Sequence, residues 1–406
     1  MTPEVKERVY QLRHGIVPEG YRRTKAGIVP ADWSEYAIAD CLERVERPVE
    51  VKADEMYTQI GIRSHGKGLF YKEPVRGEEL GNKAVFWIEP DCFVLNIVFA
   101  WEQAIGKTTQ AEVGMIGSHR FPMYRPVDGK IDIDYLISYL MTKRGKDILE
   151  VASPGGAGRN RTLGQDRFMK SEIVLPTPKE QKKIATILTT QDKVIELKEK
   201  LLVEKQRQKK YLMQQLITGK KRLPGFDGEW IFVRANTIFK NVTDKKHDGR
   251  LEVLSATQDR GIIPRSQVDI DIKYAEESLS GYKKVIKGNF VISLRSFQGG
   301  VEYSEYTGIV SPAYTVLSST YPIEDNYYKQ YFKSTDYINR LNVAVYGIRD
   351  GKQISYDDFG RIKIPYPPLG EQRAIATVLS TADREIELLS KDIKQEKKKK
   401  KALMQL

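Results

Sequence analysis

One segment of the chain occurs twice, and the two copies lie 191 positions apart. Residues 180–214 and 371–405 are identical at 17 of 35 positions, and both copies open on a Glu-Gln pair. A tandem duplication of this length predicts two related halves that share one fold. The match continues upstream of both segments, through Asp166, Phe168, Ile173 and Pro176 in the first copy and Asp357, Phe359, Ile364 and Pro367 in the second.

Each copy of the repeated segment is predicted to form one long helix. Thr177, Pro178 and Glu180 match a helix start, with a Thr cap, Pro at the first helical position and Glu three residues after the cap. Apolar residues then recur at intervals of seven, which indicates an antiparallel coiled coil between the two helices. The predicted seam consists of Ile184, Leu188, Ile195, Leu202 and Leu212 in the first helix and Ile375, Leu379, Ile386, Leu389, Ile393 and Leu403 in the second.

A longer block of different texture precedes each predicted helix. Strand-like runs such as KAVFWI and NFVISL alternate with Gly-rich turns and with helical segments. This mixture predicts an α+β fold: two tandem α/β domains separated by two long antiparallel coiled-coil helices, with a pseudo-twofold internal repeat. The predicted segments are an N-terminal segment with the first domain at 1–176, a central helix at 177–222, a second domain at 223–367 and a C-terminal helix at 368–406.

The charge balance points to a polyanionic partner. The chain of 406 residues has 66 Lys and Arg against 54 Asp and Glu, which gives a formal net charge of +12. Such an excess is typical of proteins that bind nucleic acid, and lysine-rich solvated helices are the alternative explanation. Two cysteines and four scattered histidines form no zinc-binding pattern, and the longest apolar run, 93–101, is too short to span a membrane. We therefore expect a cytoplasmic protein without a metal site.

Three short motifs resemble parts of catalytic sites, and each lacks a required residue. The IGKTT run at 105–109 has Trp101 where a phosphate-binding loop needs glycine. The YPPL run at 366–369 has the two prolines of an adenine-methyltransferase motif without its flanking groups. Pro90-Asp91 is the only Pro-Asp pair, and no matching nuclease motif follows it. The sequence therefore predicts a non-catalytic chain with no cofactor of its own.

Polar residues on loops are the candidate contacts to a nucleic acid. Bases are recognised in the major groove by Arg, Lys, Asn and Gln, and phosphates are bound by Lys, Arg and small polar groups. Any single loop cation could simply be solvated, but the set occurs at corresponding places in both halves. The candidates are Arg63, Ser64, His65, Lys67, Lys107, Arg159, Asn160 and Arg161 in the first half, and Gln258, Arg260, Arg295, Ser296, Gln298, Tyr346, Arg349 and Lys352 in the second.

The runs LPTPKEQKKIATIL, LITGKKRLPGF, SPAYTVL and ISYDDFGRIKIPYPPLGEQRAIATVL make the chain resemble the specificity subunit (HsdS) of Type I restriction–modification systems. This resemblance covers essentially the whole chain. It implies that each domain is a target-recognition domain that reads one half of a bipartite, asymmetric double-stranded DNA target. It also implies that the paired helices set the half-site spacing and dock two adenine-methyltransferase (modification) subunits, which hold S-adenosylmethionine, and through them the restriction (translocase) subunits.

Two further features of the repeat bear on this interpretation. The Glu-Gln helix starts occur in both copies whereas the loops differ, so Glu180, Gln181, Glu371 and Gln372 are predicted to dock a partner common to both halves. The second helical region stops at Leu406, where the first continues into ITGKKRLPGF. The alternative hypothesis is a free-standing DNA-binding scaffold protein whose coiled coil docks a partner other than a methyltransferase.

Overall fold

The computed structural model describes residues 2–25, 27–81, 83–127, 129–155, 161–268, 276–293, 300–344 and 354–404. The chain divides into two units. The first comprises Met1–Leu197 and Lys394–Leu406, and the second comprises Lys198–Ile393. Each unit therefore contains part of both long helices.

The first unit contains fourteen strands and five short helices among its described residues, followed by the start of the first long helix. The helices are α1 (Pro3–Arg13), α2 (Ile38–Cys41), α3 (Ile133–Leu140), α4 (Lys143–Ala152), α5 (Gln165–Met169) and the long α6 (Pro178–Leu216), which continues into the second unit. The strands are β1 (Tyr21–Thr24), β2 (Gly27–Pro30), β3 (Ser34–Ala37), β4 (Leu42–Val45), β5 (Met56–Tyr57), β6 (Ile60–Ile62), β7 (Leu69–Tyr71), β8 (Val75–Arg76), β9 (Val85–Trp87), β10 (Phe93–Leu95), β11 (Ile105–Lys107), β12 (Ile116–Ser118), β13 (Met123–Pro126) and β14 (Glu172–Leu175).

A four-stranded antiparallel sheet in the order β11-β10-β13-β4 forms the centre of the first unit. All three residues of β10 are completely buried, because one face of the sheet packs on helices α3 to α5 and the other on a smaller apolar cluster. Phe93 points to the helical side, where its ring lies 6.2 Å from that of Phe168 and 6.4 Å from that of Tyr124. A strand buried on both faces needs the continuous apolar run that the sequence provides here.

The second unit holds the end of α6 and the elements that follow it. The strands are β15 (Ile231–Arg234), β16 (Phe239–Val242), β17 (Leu254–Thr257), β18 (Gly261–Pro264), β19 (Lys283–Val285), β20 (Phe290–Ile292), β21 (Val301–Tyr303), β22 (Gly308–Val310), β23 (Thr315–Ser319) and β24 (Lys363–Tyr366). The helices are α7 (Ala235–Ile238), α8 (Asp325–Tyr331), α9 (Thr335–Ala344), α10 (Tyr356–Arg361) and the long α11 (Leu369–Leu403).

The two units share one topology, except that the pair β5–β8 of the first unit has no counterpart among the described residues of the second. The central sheet of the second unit has the order β21-β20-β23-β16, which matches β11-β10-β13-β4 strand for strand. The pairs β19–β22, β17–β18 and β15–β24 likewise match β9–β12, β6–β7 and β3–β14. The predicted α+β fold with an internal repeat is confirmed, and the hairpin β1–β2 and helix α1 precede the shared part in the first unit.

The first and last strands of each domain pair with each other. Ser34 lies opposite Leu175 in the first unit, and Ile231 lies opposite Tyr366 in the second. Each domain therefore closes on itself immediately before its long helix begins. In the first unit that helix begins as predicted, because the Oγ1 of Thr177 accepts a hydrogen bond from the backbone N–H of Glu180 at 3.4 Å.

The two long helices run antiparallel in both units. In the second unit, Lys198 pairs with Asp392 at 2.8 Å, and further along α6 Lys205 pairs with Glu385 at 2.8 Å. In the first unit, Lys400 pairs with Asp192 at 2.5 Å. Exposed ion pairs of this kind contribute little free energy, roughly 0–1 kcal/mol each, so they specify the register while the apolar seam supplies the stability.

The residues of the predicted seam are buried or half-buried. Leu188 and Ile195 of α6 are buried, and so are Ile375, Leu379 and Ile393 of α11. Lys209 interrupts the apolar line, and it forms an ion pair with Asp383 at 2.6 Å within the second unit. The other predicted seam residues are half-buried: Ile184, Leu202, Leu212, Ile386, Leu389 and Leu403.

A buried glutamine ties each long helix to its own domain. The Oε1 of Gln181 accepts a hydrogen bond from the N–H of Asp132, the cap residue of α3, at 2.9 Å. The Oε1 of Gln372 accepts one from the N–H of Glu324, the cap residue of α8, also at 2.9 Å. The side-chain nitrogen of each glutamine donates to backbone carbonyls in the same unit, including Pro176 O in the first and Pro367 O in the second.

The acidic residue of the second Glu-Gln pair is buried as well. Glu371 accepts hydrogen bonds from the guanidinium group of Arg222 at 2.5 and 2.7 Å and from the indole N–H of Trp230 at 2.8 Å. The prediction that the Glu-Gln starts dock a partner is therefore wrong for Gln181, Glu371 and Gln372, because their polar groups already bond inside the fold. Glu180, the remaining member of the predicted set, is half-buried.

We expect the substitution Gln181→Ala to lower the free energy of unfolding by about 1–3 kcal/mol, because it leaves a buried N–H and buried carbonyls without partners. Gln372→Ala should have a similar effect through the equivalent bonds. Urea denaturation measures both losses. The exposed Gln208→Ala on α6 is the matched control, and a loss no larger than that of the control would show that the buried amides do not hold the helices to the domains.

Candidate nucleic-acid interface

In the first unit, the predicted contact loop 63–68 connects the hairpin strands β6 and β7. Ile62 and Leu69 are the last paired residues of the hairpin. Three of the loop residues have left-handed backbone conformations, with φ of 63° at His65, 62° at Gly66 and 71° at Gly68. Glycine adopts this conformation without strain, which explains the two glycines that flank Lys67.

The loop is bonded to the turn that follows β10. The N–H of His65 donates to Glu102 O at 2.8 Å, and the N–H of Gly66 donates to Gln103 O at 2.9 Å. The hydroxyl of Ser64 donates to the Glu102 carboxylate at 2.8 Å. These bonds fix the loop backbone before any ligand arrives, which lowers the entropic cost of binding.

Two arginines stack on aromatic rings beside this loop. The guanidinium group of Arg63 lies 4.9 Å from the centre of the Phe70 ring and donates to Leu69 O at 2.8 Å. The guanidinium group of Arg161 lies 5.4 Å from the centre of the Trp101 ring. Trp101 belongs to the same turn as Glu102, so the structure brings Arg161 close to loop 63–68. The neighbouring candidates Arg159 and Asn160 lie outside the described residues.

The candidate cations of the first unit differ in whether their side chains already bond to other residues of the chain. The side chains of His65 and Lys67 are exposed and form no hydrogen bond or ion pair within the described part of the chain. The ammonium group of Lys107 instead lies 3.0 Å from Asp134 and 3.9 Å from Asp91, and its side chain is only 30% exposed. Lys107 would have to give up an internal ion pair to bind a phosphate.

In the second unit, the described candidates are Gln258 and Arg260, on the turn between β17 and β18. The N–H of Arg260 donates to the Thr257 hydroxyl at 3.2 Å, and its guanidinium group donates to Gln267 O at 3.2 Å. Six other candidates lie outside the described residues: Arg295, Ser296, Gln298, Tyr346, Arg349 and Lys352.

The two described candidate loops occupy equivalent places. Hairpins β6–β7 and β17–β18 correspond in the shared topology, and each tip meets the junction between a pair of helices. Gly66 lies against Met141 at the α3–α4 junction, where a Cβ at Gly66 would lie 2.6 Å from the Met141 sulfur. The ammonium group of Lys333, at the α8–α9 junction, donates to Gln258 O at 3.1 Å.

Sequence reasoning missed Trp101 and Lys333 as parts of this interface. Neither residue carries a local sequence signal. Trp101 is 60 residues away from Arg161, which stacks on its ring, and Lys333 is 75 residues away from its partner Gln258.

The described residues contain no group of three or more His, Cys, Asp or Glu side chains that could hold a metal ion. Within that same part of the chain, no helix has the length and apolar character needed to cross a membrane.

The model of the Type I restriction modification DNA specificity domain matches residues 91–205 and 230–398, which is more than half of the chain. The chain belongs to this family. The match extends into both copies of the repeat, in agreement with the resemblance found in the sequence. As a member of the specificity family, the chain has a DNA sequence-specificity role in a restriction–modification complex and is not a catalytic subunit.

Individual relatives align with this chain over nearly its full length. A protein of Methanocaldococcus jannaschii named as a type I restriction enzyme MjaX specificity subunit is 25% identical, over 96% of this chain and 95% of the relative. The HsdS subunit from Thermoanaerobacter tengcongensis is similar in fold, with a TM-score of 0.53 and 17% identity over 93% of this chain and 96% of that one. The S subunit from M. genitalium has a TM-score of 0.54 and 13% identity, over 92% and 95% of the two chains.

We expect Lys67→Ala to reduce the salt dependence of DNA binding by the assembled complex. Each phosphate contact that is lost lowers the slope of log affinity against log salt by about one. Lys107→Ala is the matched control, because that ammonium group is already paired with Asp134. Equilibrium binding at several salt concentrations measures both slopes, and a reduced slope for Lys107→Ala alone would reverse this assignment.

Proposed function

We propose that each of the two domains reads one half of a bipartite, asymmetric double-stranded DNA target. The long helices set the spacing between the half-sites and dock two copies of an adenine-methyltransferase (modification) subunit and, through them, the restriction subunits. S-adenosylmethionine is bound by the modification subunit only, and the complex acts in the cytoplasm.

The observation that carries this proposal is the repetition of one scaffold with two different hairpin tips. The shared strands and helices occur in the same order in both units, and in both a glutamine of the long helix accepts a hydrogen bond from its domain. The tips differ in length and chemistry: 63–68 contains His65 and Lys67, whereas 258–260 contains Gln258 and Arg260. A common scaffold with different side chains at one place suits two versions of one ligand, namely two different DNA half-sites.

The long helices each expose a leucine at the same position of the repeat. Leu197 of α6 is 52% exposed, and Leu388 of α11, its counterpart 191 residues later, is 56% exposed. Ile187, Val194 and Leu197 follow one another at spacings of seven and then three residues, which is the pattern that packs against another helix. Two equivalent apolar positions favour two copies of one partner, so we assign them to a helical segment of the modification subunit.

We expect Leu197→Glu to remove one modification subunit from the complex and Leu388→Glu to remove the other, because each places a charge in an apolar contact. The double variant should remain free of both subunits. Native mass spectrometry of the co-expressed proteins counts the copies. The exposed Val203→Glu lies on another face of α6 and is the control, and full assembly of the double variant would contradict this docking surface.

The direct test of the proposed function is methylome sequencing of cells that express the chain with its cognate modification subunit. Methylated adenines should occur in a single bipartite sequence whose two specified halves differ and are separated by an unspecified spacer. The purified chain alone should neither bind S-adenosylmethionine nor methylate DNA. Methylation in a continuous sequence, or no methylation beyond that of cells without the chain, would contradict the proposal.

A further inference from the structure

We infer that Lys333 is a positioning residue that holds the DNA-reading turn of the second domain through an ion pair with the buried carboxylate of Glu302. This inference rests on the proposed function, because it assumes that turn 257–261 reads one half-site. It adds a residue that lies on no predicted contact loop. It also implies that the contact loops of the two domains are held in place by different interactions.

The turn lies directly against strand β21, which contains Glu302. Gly261 has a φ of 76°, and a Cβ there would lie only 2.6 Å from Tyr303 O. Ile262 forms a parallel bridge with Ser304, one residue beyond that strand. The hairpin β17–β18 can approach β21 so closely because residue 261 has no side chain.

Glu302 places a carboxylate in the interior beneath this turn. The residue is only 3% exposed, and burial raises the pKa of its carboxyl group although the ammonium group of Lys333 opposes that rise. A buried charge is costly unless it has a partner. Lys333 is that partner, since its ammonium group donates to the Glu302 carboxylate.

The same ammonium group also donates to Gln258 O on the turn at 3.1 Å. One cation therefore bridges the interior of the domain and the backbone of the predicted contact turn. Lys333 is itself well anchored, because it lies between Phe332, which is fully buried, and Ser334, whose hydroxyl accepts from the N–H of Tyr337 at 3.2 Å. The helical core therefore determines the position of the turn through Lys333.

The first domain has no such charge at the equivalent place. Val291 pairs with Glu302 in the second domain, whereas the matching residue Val94 pairs with Gly106 in the first. The space above Gly106 is filled by Leu69, whose methyl group would lie 2.6 Å from a Cβ at that glycine. Loop 63–68 is held by backbone hydrogen bonds instead. Loss of the ion pair should therefore affect one half-site and spare the other.

The experiment compares two variants of the chain in the assembled methyltransferase complex. Lys333→Met removes both bonds of the ammonium group but leaves Glu302 buried without a partner, so it should also destabilise the domain. The double variant Lys333→Met with Glu302→Leu removes the buried charge as well, and apolar replacement of a buried ion pair is often neutral for stability. Lys329→Met is the matched control, because Lys329 pairs with Glu305 at 2.7 Å and has no bond to the turn.

The measurement is the methylation rate on the target duplex and on duplexes with single base changes in each half-site. In both Lys333 variants, discrimination at one half-site should fall about tenfold, as expected for the loss of one hydrogen bond to a charged group. Discrimination at the other half-site should be unchanged, and Lys329→Met should match the wild type. A thermal melt of each complex reports stability independently.

The double variant separates positioning from stability. If it melts like the wild type and still discriminates poorly at one half-site, Lys333 positions the turn. If discrimination returns together with stability, or is lost equally at both half-sites, the inference is overturned. A wild-type complex that does not read a bipartite target would instead refute the proposed function, so the two failures are distinguishable.

Discussion

The hydrogen bonds of two buried glutamines determine how each domain of this chain meets its long helix. Gln181 and Gln372 stand at the second position of the repeated segment, and each bonds to the capping residue of a helix in its own domain. A buried amide with unpaired groups is costly, so the start of the long helix and the helical layer must move together. The closing strand pairs β3–β14 and β15–β24 end at the same point. Each hairpin tip therefore has a defined position relative to the helix that follows its domain.

The two domains share a central sheet and three further strand pairs, and they differ in their hairpin tips and in the contacts that support those tips. In the first domain the tip is held by backbone bonds to Glu102 and Gln103 and presents His65 and Lys67. In the second, Lys333 holds the tip through Gln258 O. Different supports on one scaffold allow each hairpin tip to change without altering the long helices, and the proposed reading of two half-sites requires such independence.

The long-range organisation of this fold could be predicted from the sequence because the sequence repeats at regular intervals. The repeat of 191 residues predicted the two related units, and the interval of seven predicted the antiparallel helices and most of their seam. The roles of Gln181 and Gln372 could not be predicted, because the carbonyls and N–H groups that they bond come from loops roughly fifty residues away or from the far side of the helix start. The occurrence of this glutamine in both copies suggested a shared docking site, yet in each copy the glutamine forms an equivalent hydrogen bond inside its own domain.

Individual charged residues of the interface were the least predictable part. Lys107 looked like an exposed turn cation, but Asp134 on a distant helix neutralises it. The predicted contacts at Arg159, Asn160, Arg295, Ser296, Gln298, Tyr346, Arg349 and Lys352 remain predictions, since they lie outside the described residues. Whether a surface cation is free depends on which acidic groups the fold brings within about 4 Å, and sequence spacing does not contain that information.

The central claim is that each unit reads one half-site on an interchangeable scaffold, and exchanging the domains tests it most directly. Residues 231–366 would be replaced by a second copy of 34–175, because both segments begin and end on an equivalent strand pair. Methylome sequencing of cells that express this chain with its modification subunit would then identify the new target. The account predicts that the half-site of the first domain occurs twice, in place of two different halves. Retention of the original second half-site by a folded, active complex would contradict it.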